Sequence, residues 1–293
     1  MTKRIIVVGA GGQLGRELLY TAPASVECIG LTRAQLDISN PTAVAHCLQV
    51  NGPDLVINAA AYTAVDKAES EPEAAHAGNV EGPENLARAC AERGIRFFHV
   101  STDFVFDGAS SQPYTPQDVT APLGEYGRSK LEGERAVRAA LPEALIVRTG
   151  WVYSARGNNF VKTMLRLMAE RDELSVVSDQ VGTPTWAQGL ARALWAAVSK
   201  PQLRGIYHWS DAGACSWYDF AVAIGEEGTA QDLLPREISV LPIATADYPT
   251  PAQRPAYSVL EKSASWRDFE VDAVHWRKQL RAMLAELKEL EDG

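Results

Sequence analysis

The chain has 293 residues, 46% of them hydrophobic, and a net charge of -9. That size and apolar content suffice for a well-buried core, with room for an appendage on a single α/β unit. The acidic balance argues against a nucleic-acid binder, which needs a basic surface, and the opening apolar run IIVVGA is too short for a signal-peptide core or a membrane span. Cys28, Cys47, Cys90 and Cys215 are scattered without CxxC spacing, as expected of small buried hydrophobes in a reducing cytosol. A soluble, cytoplasmic protein with no membrane or nucleic-acid partner is the expectation.

In chain order, RIIVVGA (4–10), VECIGLT (26–32), LVINAAA (55–61), RFFHVST (96–102) and ALIVRTG (144–150) are short, β-branched and apolar on both faces. That is the pattern of parallel strands buried under helices. Helical patterns lie between them at 13–21, 41–50, 73–93 and 126–140. The alternation predicts right-handed crossovers and an α/β fold, a Rossmann-type doubly wound parallel sheet over residues 1–150. Beyond 150 the pattern loosens: a helix over 160–170, the strand-like LSVVSDQ, a helix near 186–199, and GIYHWS (205–210). A helix then opens at Ser216, proline-rich turns fill 241–257, and an amphipathic helix runs from about 272. Segments near 186–210 are expected to return to the sheet, and the rest of 151–293 to form a smaller substrate-binding lobe.

GAGGQLG (9–15) follows the first strand and opens the first helix. It does not fit GxGxxG but spaces Gly9, Gly12 and Gly15 as GxxGxxG, allowing a tight turn and close approach of a pyrophosphate to free helix N–H groups. A dinucleotide site is therefore expected. The second strand ends in Leu31-Thr32-Arg33, an arginine where an acid usually holds the ribose 2′-hydroxyl. That suits a 2′-phosphate and favours NADPH, with NADH as the alternative and a solvated loop charge as the plain reading of Arg33. Asp37 and Ile38 could flank the adenine. Asn58 is followed by Ala59, Ala60 and Ala61, small residues that leave room for a cofactor or merely let a helix pack closely.

YGRSK (126–130) places a phenol and an ammonium four residues apart on one helix face. A free tyrosine has a pKa near 10, and an adjacent ammonium is expected to lower it. Such a pair serves a carbonyl reductase, in which Tyr126 protonates the oxygen while hydride arrives from a nicotinamide and Lys130 holds its ribose. Ser101 and Thr102 of STDFVFDG, at the carboxyl end of the fourth strand, could hydrogen-bond the same oxygen. YxxxK alone is weak. Joined to the glycine turn, NAAA and ST at successive strand ends, it is a strong set.

On these motifs the chain resembles the extended short-chain dehydrogenase/reductase family, nearly end to end. The stretches NAAAYTAVDKAESEPE, YGRSKLEGE, RTGWVYSARGNNFVKTML, DQVGTPTWA and TPAQRPAYSVL are similar to its branch that reduces nucleotide-linked 4-keto-6-deoxy sugars. The resemblance implies NAD(P)H-dependent reduction of the C4 keto group of dTDP-4-dehydro-β-L-rhamnose to dTDP-L-rhamnose, the last step in making that nucleotide sugar. It implies Tyr126 as proton donor, Lys130 as its partner and Thr102 as the residue tuning the transfer. Cofactor contacts fall on Gly12, Gln13, Leu14, Asp37, Ile38, Ala61, Tyr62 and Thr63. Substrate contacts fall on Val100, Ser101 and Trp151, with Asp103 and Phe104 beside Thr102. Gly150 stands where serine is expected, and Tyr257 where small or amide residues are usual.

Several residues keep ordinary readings as well. Trp151 could be a core aromatic, and Arg254 a surface charge rather than a diphosphate ligand. Asp66, Lys67 and Glu69 read as a local helix-start charge network, and His99 as strand packing. No His/Cys/carboxylate cluster has metal-ligand spacing. Some members of the family are metal-bridged homodimers and Glu17 matches a carboxylate implicated there, which leaves Mg2+ and a homodimer open. The alternatives in function are a 4-epimerase or a reductase of another nucleotide sugar, and a catalytically idle dinucleotide-binding regulatory subunit. A 4,6-dehydratase fits poorly, because Phe104 stands where its second carboxylate would be.

Overall fold

The computed structural model describes residues 2–292. Six parallel strands form its central sheet: β1 (Lys3–Val8), β2 (Val26–Leu31), β3 (Leu55–Asn58), β4 (Arg96–Thr102), β5 (Leu145–Thr149) and β6 (Gly205–His208). Their spatial order is β2-β1-β3-β4-β5-β6. Both faces of this sheet are covered, which is why its strands read as unbroken apolar runs. Ile5, Val7, Phe98 and Val147 pack beneath α1 (Gln13–Tyr20) and the helix Ala187–Val198. On the opposite face, Ile6, Val56, Phe97 and Ile146 pack beneath α2 (Pro41–Asn51), α3 (Gly82–Arg93) and α4 (Glu125–Ala140). Local signals set the helix ends: Asn40 caps α2 through Ala43 N, Pro41 opens it, and Gly52 and Gly94 close α2 and α3 in left-handed conformations.

A second core lies among later residues. Val161, Met164 and Met168 of α5 (Phe160–Glu170) pack with Phe220 and Ile224 of the helix Trp217–Ala230 and with Leu280, Met283 and Leu284 of the C-terminal helix Trp276–Asp292. The chain thus leaves the sheet after β5, returns for the helix Ala187–Val198 and β6, and returns once more with the helix Ser263–Phe269, whose Trp266 and Phe269 pack on the sheet core. Among the described residues no helix is long and apolar enough to cross a membrane.

Three segments differ from the sequence pattern. LVINAAA stays in the sheet only to Asn58, because the Asn58 side chain accepts Ala60 N at 3.0 Å and turns the chain away. Residues 73–93 are not one helix: a π-turn, Ala77–Glu81, separates Pro72–His76 from α3. Pro83 has no N–H to offer Asn79, so the regular ladder cannot continue there. The proline-rich stretch contains a strand, Ser239–Ile243, paired in parallel with Glu173–Val177. Pro242 is tolerated because the pair is two-stranded and has an open edge.

Candidate active site

The strand order reverses between β1 and β3, and ligands of open α/β sheets bind in the crevice outside the carboxyl ends at such a point. The glycine turn forms one wall of it. Gly9 has φ +83°, and a Cβ there would lie 2.5 Å from Ala60 N and 2.7 Å from Ala59 C. Any side chain is excluded twice, by conformation and by the neighbouring backbone. A Cβ on Gly15 would lie 2.2 Å from the Gly9 carbonyl oxygen, so α1 leaves the turn at closest approach. Gly12 starts α1 with no side-chain cap, which leaves the first-turn N–H groups of Gln13 and Leu14 to an anion.

Around this turn, Gln13 accepts a 2.9 Å hydrogen bond from Asn159, and the Leu14 side chain is buried. Arg33 is exposed beyond β2, with Asp37 exposed nearby. The hydroxyl and N–H of Ser39 hold Asp37 below the usual carboxylate range, with a smaller contribution from Arg33. Ile38 is buried against Gly82, whose Cβ would meet it at 2.4 Å, so this aliphatic chain supports the crevice from below. Ala59 and Ala60 are half-buried, Ala61 and Thr63 exposed, and the Tyr62 hydroxyl donates to Glu71 at 2.6 Å.

β4 and β5 extend past β3, because Asn58 pairs with His99 while Thr102 pairs with Thr149. This step presents Val100, Ser101 and Thr102 beside α4. Tyr126 lies in the first turn of α4 and Lys130 one turn on, deeply buried, its ammonium donating to the Val100 carbonyl at 2.8 Å. Burial lowers Lys130 to about 8, with Glu134 opposing. The Tyr126 phenol is pushed up to about 12 by removal from water and by the Asp103 charge, against the Thr102 hydroxyl. The expected depression by Lys130 is therefore corrected: the ammonium is directed at a strand carbonyl, and desolvation dominates at the phenol. Thr102 donates to Asp103 at 3.0 Å and accepts Phe104 N at 3.2 Å. Phe104 packs edge-on against Tyr126 at 5.5 Å. Ser101 is buried and its hydroxyl has no partner among the described residues.

Residues not singled out by the sequence hold α4 in place. A Cβ on Gly127 would lie 2.3 Å from the Phe104 carbonyl oxygen, and one on Gly133 only 1.9 Å from that of Asn79. Asn79 bridges Tyr62 N and O to the Ser129 hydroxyl, tying the cofactor loop to the Tyr126 helix. Arg148 and Glu134 form a buried bidentate pair at 2.9 and 2.7 Å between β5 and α4. Of these, only Gly127 and Gly133 were signalled, as small residues of YGRSKLEGE.

Other expected site residues lie elsewhere in this arrangement. Arg254 is not a free cation: it pairs with Asp66 at 2.8 and 3.1 Å and also donates to Thr250 and the Ala252 carbonyl. The Asp66-Lys67-Glu69 network is correspondingly not local, for Asp66 reaches the 250–254 loop and Glu69 reaches α4. Trp151, at φ +50°, stacks on Trp217 with ring centroids 3.5 Å apart, and Gly182 packs against its ring atoms. One face of the Trp151 ring is thus covered by Trp217. Tyr257 stands 6.4 Å from Tyr114. His99 is fully buried, 3.1 Å from the Asn58 amide, and held neutral chiefly by burial, then by Lys130. Glu17 is fully buried, accepting from Ser154 at 2.6 Å and from Arg156 at 3.2 Å.

The same chain is similar to known proteins over nearly its whole length. The family model described as the RmlD substrate binding domain matches residues 3–289. A dTDP-4-dehydrorhamnose reductase of Aggregatibacter actinomycetemcomitans is 43% identical, covering 96% of this chain and 98% of that protein. Two solved structures agree in fold. A dTDP-4-dehydrorhamnose reductase ortholog from Clostridium acetobutylicum has TM-score 0.91 at 41% identity, covering 97% of this chain and 99% of that one. One from Bacillus anthracis, in complex with NADP, has TM-score 0.92 at 36% identity, covering 98% and 100%. A Thermus thermophilus UDP-glucose 4-epimerase shares the fold, with TM-score 0.81 at 18% identity over 97% and 99%. The chain belongs to the RmlD substrate binding domain family, alongside the dTDP-4-dehydrorhamnose reductases.

Proposed function

We propose that this protein is an NADPH-dependent dTDP-4-dehydrorhamnose reductase, forming dTDP-L-rhamnose. The observation that carries the reading is the meeting of Thr102, Tyr126 and Lys130 at one sheet edge, beside a glycine-walled crevice, in a chain of this family. When bound, the reduced nicotinamide supplies the hydride to C4. Tyr126 supplies the proton: a half-buried phenol raised to about 12 stays protonated at neutral pH, as a donor to a developing alkoxide must. Lys130 holds the nicotinamide ribose, Ser101 orients the sugar carbonyl, and Thr102 tunes the proton transfer. The first turn of α1 binds the pyrophosphate, Asp37 and the 59–63 loop line the adenosine side, and exposed Arg33 favours the 2′-phosphate of NADPH over NADH.

The sugar nucleotide is assigned to the groove between the sheet edge and the lobe whose core is drawn mainly from 153–176, 215–234 and 276–287. Phe104 occupies the place of a dehydratase's second carboxylate and packs against Tyr126, which speaks against elimination. Following reduced-nicotinamide absorbance with dTDP-4-dehydrorhamnose is the test. Turnover with NADPH supports the reading, and its absence under conditions where NADPH binds sinks it.

A further inference from the structure

Asp103 is 2% exposed, among the least accessible carboxylates of the chain, and it sits one residue from Thr102. Three segments distant in sequence enclose it. Its own strand end brings the Thr102 hydroxyl to Oδ1 at 3.0 Å. The 250–260 loop brings the buried Ser258 side chain, which favours the charged carboxylate. The end of β5 brings Gly150, where a Cβ would lie 2.4–2.8 Å from the carboxylate atoms. Gly150 is also a departure from the expected serine. The missing side chain is therefore the space in which the carboxylate rests.

A threonine hydroxyl has one proton to give. Here it is committed to Asp103, while Phe104 N takes one lone pair at 3.2 Å. Toward Tyr126 and a substrate oxygen, Thr102 then offers only an acceptor. We propose that Asp103 is a positioning residue, seated in the space left by Gly150 beside Ser258, that sets the direction of the Thr102 proton and through it the proton transfer from Tyr126. Neutral Asp103 donates to Thr102, which turns its own proton toward the phenol oxygen and stabilises the forming phenolate. Charged Asp103 withdraws that proton. This deepens the reductase reading and rests on it.

Burial raises Asp103 to about 6, against the hydrogen bonds of Ser258, Thr102 and the backbone, so the switch falls in an accessible range. The titratable group facing it from α4 is Tyr126. Lys130, on the same helix, gives its ammonium to Val100, while Gly150 and Ser258 bring no charge from β5 and the 250–260 loop.

The test is the pH profile of kcat for NADPH-dependent reduction of the keto sugar, with NADPH binding titrated separately. In the wild type, kcat should fall as pH rises through about 6. Asp103→Asn should lose that inflection, with kcat lowered by about tenfold to a hundredfold at its acid plateau through misalignment, and NADPH binding unchanged. Ser258→Ala removes a bond that favours the charged form, so it should move the inflection to higher pH; Gly150→Ala should move it by displacing the carboxylate. A wild-type profile without the inflection, or one that survives in Asp103→Asn or stays fixed in Ser258→Ala, overturns the proposal. Should Asp103→Asn fail to fold, the wild-type and Ser258→Ala profiles decide. A wild type that binds NADPH yet does not reduce the keto sugar fails at the reductase reading instead.

Discussion

The glycine-turn wall of the crevice and the pocket around Asp103 are built by opposite means. The first is made by what is missing: Gly9 and Gly15 lack side chains where a Cβ would lie only 2.2–2.8 Å from the Ala59–Ala60 backbone and the turn itself. What remains for a ligand is main-chain N–H groups. The second is built around a nearly dry carboxylate: Thr102 hydrogen-bonds Asp103 from β4, Tyr126 faces it from α4, Ser258 faces it from the 250–260 loop, and Gly150 at the end of β5 leaves the space it fills. A backbone site tolerates change around it but not at its glycines. A side-chain site distributes its function, so single substitutions there should separate proton transfer, stability and cofactor binding.

The sharpest separation is at Tyr126. Tyr126→Phe removes the proton and keeps the ring against Phe104, so turnover should fall by about 10²–10⁴-fold while NADPH titrates as in the wild type. Stopped-flow reduction beside fluorescence titration measures both. Turnover within a few-fold of wild type would take the proton from another group and dissolve the contrast drawn here.

Next in size is the buried pair behind the same helix. Arg148→Met leaves Glu134 charged and alone at 1% exposure, and breaking such a pair from one side costs about 3–5 kcal/mol. Urea unfolding should show it, with Arg148→Met/Glu134→Leu recovering much of the loss. If Arg148→Met unfolds like the wild type, α4 is held by its glycine contacts rather than by this pair.

The nucleotide side should respond more mildly and selectively. Arg33→Ala loses a charge-assisted contact worth about 1.5–3 kcal/mol, so KM for NADPH should rise and KM for NADH should hardly change. Equal shifts for both cofactors would return Arg33 to the status of a solvated loop charge.

The same contrast explains what could be read from the sequence. Five strands and their helices were legible, because burial on both faces writes continuous β-branched runs, and Gly9, Gly12 and Gly15 were legible because a turn of that kind admits little else. Tyr126 and Lys130 were legible as an i, i+4 pair. Illegible were contacts closed over long separations: Asp66 with Arg254, Trp151 with Trp217, Gly150 with Asp103. Nothing local in Arg254, framed by prolines, shows that its guanidinium is already taken. Nor does a helix face show that Lys130 points at the Val100 carbonyl, since that depends on how closely Gly127 and Gly133 let α4 approach β4 and the π-turn.

The smallest expected effect tests whether the start of α4 is part of the catalytic arrangement or only adjoins it. α4 begins after Gly124, which has no side chain to cap it, and Tyr126 lies within its first turn. Glu69 supplies the cap from another segment, accepting Glu125 N at 2.7 Å, and a Cβ on Gly124 would collide with it at 2.6 Å. Loss of a cap of this kind costs about 1 kcal/mol, and since Glu69 is exposed its charge contributes mainly at low salt. Glu69→Ala should therefore lower the melting temperature by only about 2 °C. It should nevertheless reduce kcat several-fold, because a frayed first turn misplaces the proton donor, while NADPH affinity stays put. Glu69→Gln keeps an acceptor in the same place and should restore most of the turnover, which a purely electrostatic role would not allow. Should Glu69→Ala melt lower yet turn over like the wild type, the cap stabilises the fold and Tyr126 is positioned by Gly127, Gly133 and Asn79 alone.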